Sequence, residues 1–555
     1  MWLDLKLRAA QLPWMKPCFL YLRWFRFSAL LLLSVAIANS APVALNPSLQ
    51  LRLIMNTAIS GGPASVRLVK DPRSNQLYYL KVNGDIYRVT LQAGSGTSTS
   101  TKVYSATDHG IANNVQGMAI GPDGTIYVVG NTPTNSGNST VARVGKGVPN
   151  GAGGRTWSLL AQTEPYPLSK TAFDHLFNGI ITSPDGQYIY LNSGSRTDHG
   201  EVEANNNLYP NTREVALTAK IIRLPASGSG LVLQNDIVLL RQAGYVFAEG
   251  TRNSFDFAFA PNDDLFATEN GPDRDMSEEL NWLRPDLHYG FPWRIGGADN
   301  PQQFPNYDPS ADKLLDSRFV AVASGAYHND PTFPPPPTNL AEPIINLGPD
   351  ADSYRDPADG LIKDASGLGT TLSTFTAHRS PLGLVFDRVG AMAAPFANHG
   401  FMLSWTPGDL NGNSVAGPFK DPSQDMVDLN LTKLGNTNYQ TTVTRIVGGF
   451  SNPIDSEIVG NRIYVIEYGG TQGIWEVTFP AAPPTVTLSG PLAQANGSFR
   501  FNVAATPGLN YEIAASADLQ QWLSLTNLIP TNSPFQFTDL GATNYQQRFY
   551  RAIQH

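Results

Sequence analysis

The sequence predicts an all-β protein: a six-bladed β-propeller over residues 41–479, followed by a small C-terminal β-sandwich over residues 485–555. Three observations carry that prediction. A short strand–turn–strand phrase returns along the chain from Leu51 onward. The composition is rich in turn formers and aromatics, with 50 Gly, 42 Pro, 21 Tyr and 26 Phe in 555 residues and only 15% charged residues. That balance favours strands and turns over helices. Finally, Phe479-Pro480-Ala481-Ala482-Pro483-Pro484 reads as a stiff linker, residues 480–484, ahead of a tail of alternating runs.

Residues 1–40 precede the fold and read as a signal peptide. Lys16, Arg23 and Arg26 come before an apolar run, Phe27 to Ala36, and small residues around Ala36-Ile37-Ala38 or Ala38-Asn39-Ser40 suit cleavage. The run is short for a membrane anchor, so no transmembrane anchor is expected after cleavage. The one cysteine, Cys18, lies upstream of the cut, which leaves a mature chain without thiol or disulfide. A bacterial periplasmic or secreted location follows as the expectation. Removing the five Lys/Arg and one Asp of residues 1–40 takes the formal charge from −8 to −12. So acidic a chain is a poor partner for nucleic acid or an anionic membrane.

The repeated phrase comes next. Asn83-Gly84-Asp85, Pro122-Asp123-Gly124, Pro184-Asp185-Gly186, Pro261-Asn262-Asp263-Asp264 and Val459-Gly460-Asn461 each sit between strand-like runs. Each is predicted to be the inner hairpin of a blade. Their spacing is irregular and implies long loops between blades; a seven-bladed ring is the alternative count. Between residues 295 and 375 the pattern dissolves into Phe333-Pro334-Pro335-Pro336-Pro337 and scattered aspartates, a loop long enough to roof one face. After the linker, VTLSG, FRFNV, YEIAA, FQFTD and RFYRA alternate as sandwich strands, with Tyr511, Trp522, Phe537 and Phe549 as expected core aromatics.

The stretch Glu249 to Trp293 carries the densest chemistry. Alternating Phe255, Phe257 and Phe259 lead into a turn, then a second strand, then the break Asn270-Gly271-Pro272. Behind it lie Asp273, Asp275, Glu278 and Glu279, then Tyr289-Gly290-Phe291-Pro292-Trp293. Carboxylates and freed carbonyls around a Gly-Pro turn suit a hard cation such as Ca²⁺, and a solvated acidic loop is the other reading. Gly250-Thr251-Arg252-Asn253, Glu269-Asn270-Gly271-Pro272, Glu279-Leu280-Asn281 and Tyr289-Gly290-Phe291-Pro292 together resemble the soluble PQQ-dependent sugar dehydrogenase family. That family includes quinoprotein glucose and aldose dehydrogenases and sorbosone-dehydrogenase-like enzymes.

The resemblance implies roles. Asp174-His175, ahead of Gly179 and Pro184-Asp185-Gly186, is similar to the family's Asp-His pair, which makes His175 the base. Neutral imidazole suits the removal of a hydroxyl proton, and Asp174 is expected to hold the ring's tautomer. Arg252 and Asn253 resemble the pair that contacts PQQ, where a guanidinium steadies charge arriving on the quinone oxygen. Gly271 and Pro272 match carbonyls that hold the cofactor's Ca²⁺. Glu278, Glu279 and Tyr289 match a second Ca²⁺ region more loosely, with two extra residues after Pro272. His378 and Arg379, in His378-Arg379-Ser380-Pro381-Leu382-Gly383, resemble a motif of the sorbosone-type branch and are candidates to bind cofactor. Asp409-Leu410-Asn411-Gly412-Asn413 has the alternating oxygen donors of a calcium loop but no distal Glu, and His199 is a further candidate for the active face, weighed against the reading as an exposed loop residue.

One departure matters. The glucose dehydrogenases hold the PQQ carboxylates with a Lys and two Args on late blades, where FMLSWTPGD and GFSNPIDSEIV have none. Either Arg379, Arg196 or another loop residue substitutes, or the chain has lost the cofactor. The resemblance thus implies an enzyme that oxidises a small-molecule sugar with PQQ and Ca²⁺ and passes electrons to an external acceptor. The alternative is a non-redox propeller, either a carbohydrate-binding protein or a Ca²⁺-dependent lactonase.

Overall fold

A computed structural model of the chain describes residues 41–555 except 93, 95, 152, 408–418, 484–485, 507–508 and 555. The expected signal peptide, the Asp409–Asn413 loop and the last linker residue lie outside the described residues. Strands dominate, and the α-helices are single turns or little more: Ala106–His109, Ile237–Gln242 and Val320–Ala323. No described helix is long and apolar enough to cross a membrane.

Six sheets account for residues 43–478 apart from two two-stranded ribbons. Each of the six has at one edge a strand with a sheet neighbour on one side only: β1 (Ser65–Asp71), β2 (Gly117–Ile120), β3 (Phe177–Thr182), β4 (Phe257–Phe259), β5 (Pro381–Phe386) and β6 (Pro453–Val459). These strands pack in a ring, each against the next and β6 back against β1. Contact that close requires glycine at the crossings. A Cβ on Gly117 of β2 would meet Asn178 O at 2.0 Å, and one on Gly179 of β3 would meet Phe255 O at 2.8 Å. Outward from the ring, consecutive sheets share apolar cores. Val129, Leu160, Ile189 and Leu224 fill the space between the second and third, and Phe266, Leu280, Met402 and Val427 that between the fourth and fifth.

The sixth sheet is completed from the other end of the chain. Strand Gln50–Asn56 pairs antiparallel with Gly473–Thr478, so the first strand of the ring region and the last lie side by side. The turns at 122–124, 184–186, 261–264 and 460–461 do close the inner hairpins of their sheets. Asn83-Gly84-Asp85 does not. It joins the second and third strands of the first sheet, and the inner hairpin there turns at residues 72–75. The fifth inner hairpin, between β5 and Gly400–Ser404, has a 387–399 loop with no short turn phrase.

Residues 487–554 form two three-stranded sheets, Thr487–Ala493 with Phe499–Ala504 and Phe535–Asp539, and Leu523–Leu528 with Tyr511–Ser516 and Phe549–Gln554. Phe501, Val503, Tyr511 and Ile513 form their common core, with Phe537 packed against it. Two of the expected core aromatics lie elsewhere. Phe549 is 37% exposed, and Trp522 is half-buried under the Arg551 guanidinium.

Candidate active site

Residues that immediately precede the inner strands gather at one end of the ring. His175 comes just before β3, Arg252 and Asn253 before β4, and His378 to Ser380 before β5. Ser195 ties the first two together: His175 N donates to Ser195 O at 2.9 Å and Ser195 N donates to Arg252 O at 2.7 Å. Asn178 Nδ2 donates to Asn253 Oδ1 at 2.8 Å, and the Asn253 amide N–H donates to the buried Glu269 carboxylate.

The His175 ring is set by Ser195. Its Nδ1 lies 3.1 Å from Ser195 Oγ, and that hydroxyl donates its own proton to Thr197 O at 2.9 Å. Ser195 Oγ can then only accept from the ring, so Nδ1 carries the hydrogen and Nε2 the lone pair. Burial, then the neighbouring Arg252 charge, push the imidazole down to about 3, so it is neutral at ordinary pH. The expected orienting partner, Asp174, is not on the ring. Its carboxylate accepts from Ser169 N and Lys170 N, both at 2.9 Å, and shapes the loop before His175. A carboxylate next in sequence to a histidine is satisfied more readily by nearby backbone amides than by its neighbour's ring.

Arg252 is 5% exposed and is held by one residue the motifs did not single out. Its Nε donates to Asp198 O at 2.7 Å and its Nη2 to Asp198 Oδ1 at 2.9 Å, while Nη1 donates to Asn270 O at 3.2 Å. These bonds leave one hydrogen on each of Nη1 and Nη2 for a further acceptor. Asp198 also receives Asp273 N, the Tyr327 hydroxyl at 3.1 Å and His199 Nδ1 at 2.9 Å. Against burial, which raises it, the His199 hydrogen bond and Arg252 hold its carboxyl at about 2. His199 is 1% exposed, not an exposed loop residue, and stacks on Tyr327 with ring centres 3.6 Å apart. Burial lowers its pKa, but Glu201 and Asp198 raise it above the ordinary histidine value. Its Nε2 has no hydrogen-bond partner among the described residues. The two imidazoles are thus driven apart, one neutral and one favouring its charged form.

The region 295–375 roofs this end. Tyr327 reaches Asp198, Ala321 N donates to Asp273 Oδ2 at 2.8 Å, Arg355 Nε pairs with Asp275 at 2.5 Å, and Phe319 stacks on His378. His378 Nε2 lies 2.8 Å from Asp275 Oδ1, which keeps its pKa raised against the burial that lowers it.

Several expected ligands are committed elsewhere. Arg379 is fully buried and fixed by Asp421 at 2.8 Å, Asp425 at 2.7 Å, Ser404 Oγ and Pro422 O, so it has no face to offer a cofactor. Arg196 gives Nη1 and Nη2 hydrogens to the carbonyls of Glu203, Thr212 and Arg213, while its buried Nε has no partner among the described residues. Tyr289 is a core residue whose hydroxyl donates to Trp282 O at 2.6 Å and accepts from Arg284 N at 2.7 Å. Glu278 and Glu279, adjacent in sequence, diverge. Glu279 accepts from Asn281 Nδ2 at 2.8 Å and Gly296 N at 2.7 Å, beside Glu269. Glu278 packs against Gly271 with its Oε2 buried and unpartnered. Adjacent side chains of an extended segment point to opposite faces, so these three residues form no common cation cage. Among the described residues, no three His, Cys, Asp or Glu side chains converge on a metal position.

Residues 72–314 match the family model described as Glucose / Sorbosone dehydrogenase. The chain is 25% identical over 284 residues to quinoprotein glucose dehydrogenase B of Acinetobacter calcoaceticus, a match covering 45% of this chain and 56% of the relative. It therefore spans little more than half the relative's length. Among solved structures, it is similar to the soluble aldose sugar dehydrogenase of Escherichia coli in its apo form, with 13% identity and a TM-score of 0.45 over 78% of this chain and 99% of that one. The PQQ-bound aldose sugar dehydrogenase of Streptomyces coelicolor gives 15% identity and a TM-score of 0.43 over 79% and 99%.

Proposed function

We propose that the chain, whose residues 72–314 match the Glucose / Sorbosone dehydrogenase family model, is a quinoprotein oxidoreductase. It oxidises a hydroxyl of an aldose or related sugar, with His175 as base. The ring of six sheets is read as a six-bladed propeller, and the two C-terminal sheets as an appended sandwich. The observation that carries the reading is the pairing of His175 and Arg252 through Ser195, in opposite electrostatic roles at one end of the ring.

The residues fit the reacting end of PQQ: Arg252 keeps two N–H groups for an oxygen, and His175, with its hydrogen on Nδ1, has an acceptor lone pair on Nε2. When bound, PQQ would supply the hydride acceptor. The protein's share is to take the hydroxyl proton at His175 Nε2 as the carbon gives up hydride. Arg252 sets two donors against the charge that develops opposite, and Asp198 and Asn270 keep its fork from turning. Burial under the Tyr327 roof excludes water and strengthens both effects. Ca²⁺ enters the reading at Gly271 and Pro272, because the unpartnered Glu278 Oε2 beside them is the donor type a hard cation takes. Electrons would leave to an external acceptor, from a periplasmic or secreted protein.

The test is to add PQQ and Ca²⁺ to purified protein, look for a bound quinone spectrum, and assay aldoses with a dye acceptor. No quinone spectrum and no turnover would sink the reading. A non-redox propeller, a carbohydrate-binding protein or Ca²⁺-dependent lactonase, then takes its place. The commitment of Arg379 to Asp421 and Asp425 favours that second reading, because a tricarboxylate needs cations that are free to pair.

A further inference from the structure

The last two sheets present a different chemistry at the same end of the ring as His175 and Arg252. Strand Gly400–Ser404 runs antiparallel to β5 and sets Ser404 opposite Pro381, so the next residue, Trp405, stands at the end where β5 begins. Strand Arg462–Glu467 does the same beside β6, with Glu467 opposite Pro453, so Tyr468 and Asn452 stand there too. Hydrogen bonds join the three: Trp405 O accepts from Asn452 Nδ2 at 3.0 Å, and Asn452 O accepts from Tyr468 N at 2.9 Å. The Trp405 and Tyr468 rings meet edge to face with centres 6.4 Å apart. Trp405 N donates to Ser380 O at 3.0 Å, and Ser380 Oγ donates at 2.6 Å to Asn270 Oδ1, on the residue whose carbonyl accepts from Arg252. The aromatic pair is thus built into the rim of the candidate site.

What these residues leave open selects the occupant. Tyr468 is 40% exposed, and Trp405 and Asn452 are half-buried. The Trp405 indole N–H, the Tyr468 hydroxyl and Asn452 Oδ1 have no hydrogen-bond partner among the described residues, and none of the three is sealed from solvent. A donor, an acceptor and a group that does both therefore edge two aromatic rings. Segments 401–409, 449–459 and 466–473 contain no Lys or Arg. Among the described residues, no cationic side chain lies over either ring. Arg379, whose carbonyl accepts from Thr406 N, is fully buried against Asp421 and Asp425. Glu467, the residue before Tyr468, is 5% exposed and accepts from Ser451 N at 2.7 Å, and burial raises its pKa towards the neutral form.

We propose that Trp405, Tyr468 and Asn452 form a stacking subsite for one uncharged sugar ring, and that the two aromatic residues set its specificity. An aromatic face is negative and attracts C–H bonds that neighbouring oxygens have made positive. A sugar ring offers such a face together with hydroxyls that both donate and accept, which suits the three open polar groups. An ionic ligand would find no free counter-charge, and a purely apolar one would take water from those groups and give nothing back. The inference deepens the reading of a sugar substrate and rests on it for the sugar alone, since no contact in the subsite involves PQQ.

Calorimetric titration of the full chain, without added PQQ, against methyl α-glucoside, glucosamine, glucuronate and benzyl alcohol tests the subsite. The methyl glycoside has no free anomeric hydroxyl, so it reports stacking apart from oxidation there. Saturable binding is expected, with Kd on the order of 1 mM for a ligand of that size. Trp405→Ala should weaken it about tenfold and Tyr468→Ala about fivefold, while Trp405→Phe stays within about threefold of the wild type. The charged sugars and benzyl alcohol should bind at least about fivefold more weakly than the glycoside. Unsaturable glycoside, equal affinity in the wild type and both alanine variants, or preference for a charged sugar or for benzyl alcohol overturns the proposal. If Trp405→Ala does not fold, Tyr468→Ala, on the exposed ring, decides with the ligand series. The two readings fail separately. Glycoside binding that depends on Trp405 in a chain with no quinone spectrum keeps the subsite and removes PQQ. Turnover with KM unchanged in both alanine variants keeps the enzyme and removes the subsite.

Discussion

Ser195 decides which nitrogen of His175 carries the proton, and it does so with a hydroxyl that is already spent on Thr197 O. His175→Ala should lower kcat by about 10² to 10⁴ while PQQ affinity changes little, since the ring acts on the substrate proton. Stopped-flow turnover and quinone titration separate the two quantities, and wild-type kcat in the variant would remove His175 from the chemistry. Asp198 is a different kind of residue. Asp198→Asn takes from Arg252 its paired buried carboxylate and leaves His199 with Glu201 alone, which should cost about 3 to 5 kcal/mol by urea denaturation. The pH dependence has a sign. The Asp198 carboxyl is held at about 2, below its unfolded value, so its stabilisation is present above pH ~4 and is lost as pH falls through 2. His175 and Arg252 were readable from the sequence because short motifs mark them. Asp198, Ser195 and Tyr327 were not, since each acts across a fold that brings residues 175, 198, 252 and 327 together from four separate segments. The same blindness misplaced Asp174, whose proximity in sequence to His175 does not survive as contact.

The hairpins explain why the fold was readable and where it was not. Pro-Asp-Gly and similar phrases mark turns by local backbone chemistry, so four inner hairpins stand out. The 387–399 hairpin has no such phrase, and the Asn83-Gly84-Asp85 turn, though a true turn, belongs one strand further out. Local signals give the turn but not its place in a sheet. The glycines at strand crossings make a sharper prediction. Gly179→Ala puts a Cβ 2.8 Å from Phe255 O and 2.9 Å from Ser254 O, both backbone atoms that cannot swing aside. Overpacking of this kind costs about 1 to 3 kcal/mol, read as a lower thermal midpoint. It should also disturb turnover, because Ser254 adjoins Asn253 and Arg252. The C-terminal sheets should behave oppositely. Their core of Phe501, Val503, Tyr511 and Ile513 is their own, so a chain ending at Phe479 should fold and keep the activity of the full protein. An inactive but folded truncation would place function in the tail.

Taken as a whole, the molecule carries an unusual load of buried carboxyls. Glu269 and Glu279 face each other across paired strands, and burial pushes them up to about 7 and about 8. Their folded values exceed the unfolded one, so the stability they contribute is full below pH ~4.3 and is lost as pH rises through 7 to 8. Calorimetry across pH 5 to 9 should therefore show the thermal midpoint falling on the alkaline side, and Glu279→Gln should flatten that fall. A cation at Glu278 would act in the other direction. With Ca²⁺ at a hundredfold excess over Kd, mass action adds about 2.7 kcal/mol, and chelation of a metal-loaded sample should remove it. An unchanged midpoint after chelation would exclude the ion from the fold.

The seam between Gln50–Asn56 and Gly473–Thr478 also sets an order of events. Thr57 and its partner Gln472 are 415 residues apart in the chain, so the strand that leaves the ribosome first waits for the one made almost last. Until then the first sheet has no neighbour on its open side, and the ring is an arc with two unsatisfied edges. Such an arc buries neither Tyr464 and Ile474 against Ile54 nor Asp455 against Leu68. Closure is thus a single late event on which every earlier sheet depends, the slow, non-local step of a fold with long-range contacts. A chain shortened by a few residues at either side of that seam would be lost as a whole rather than in part.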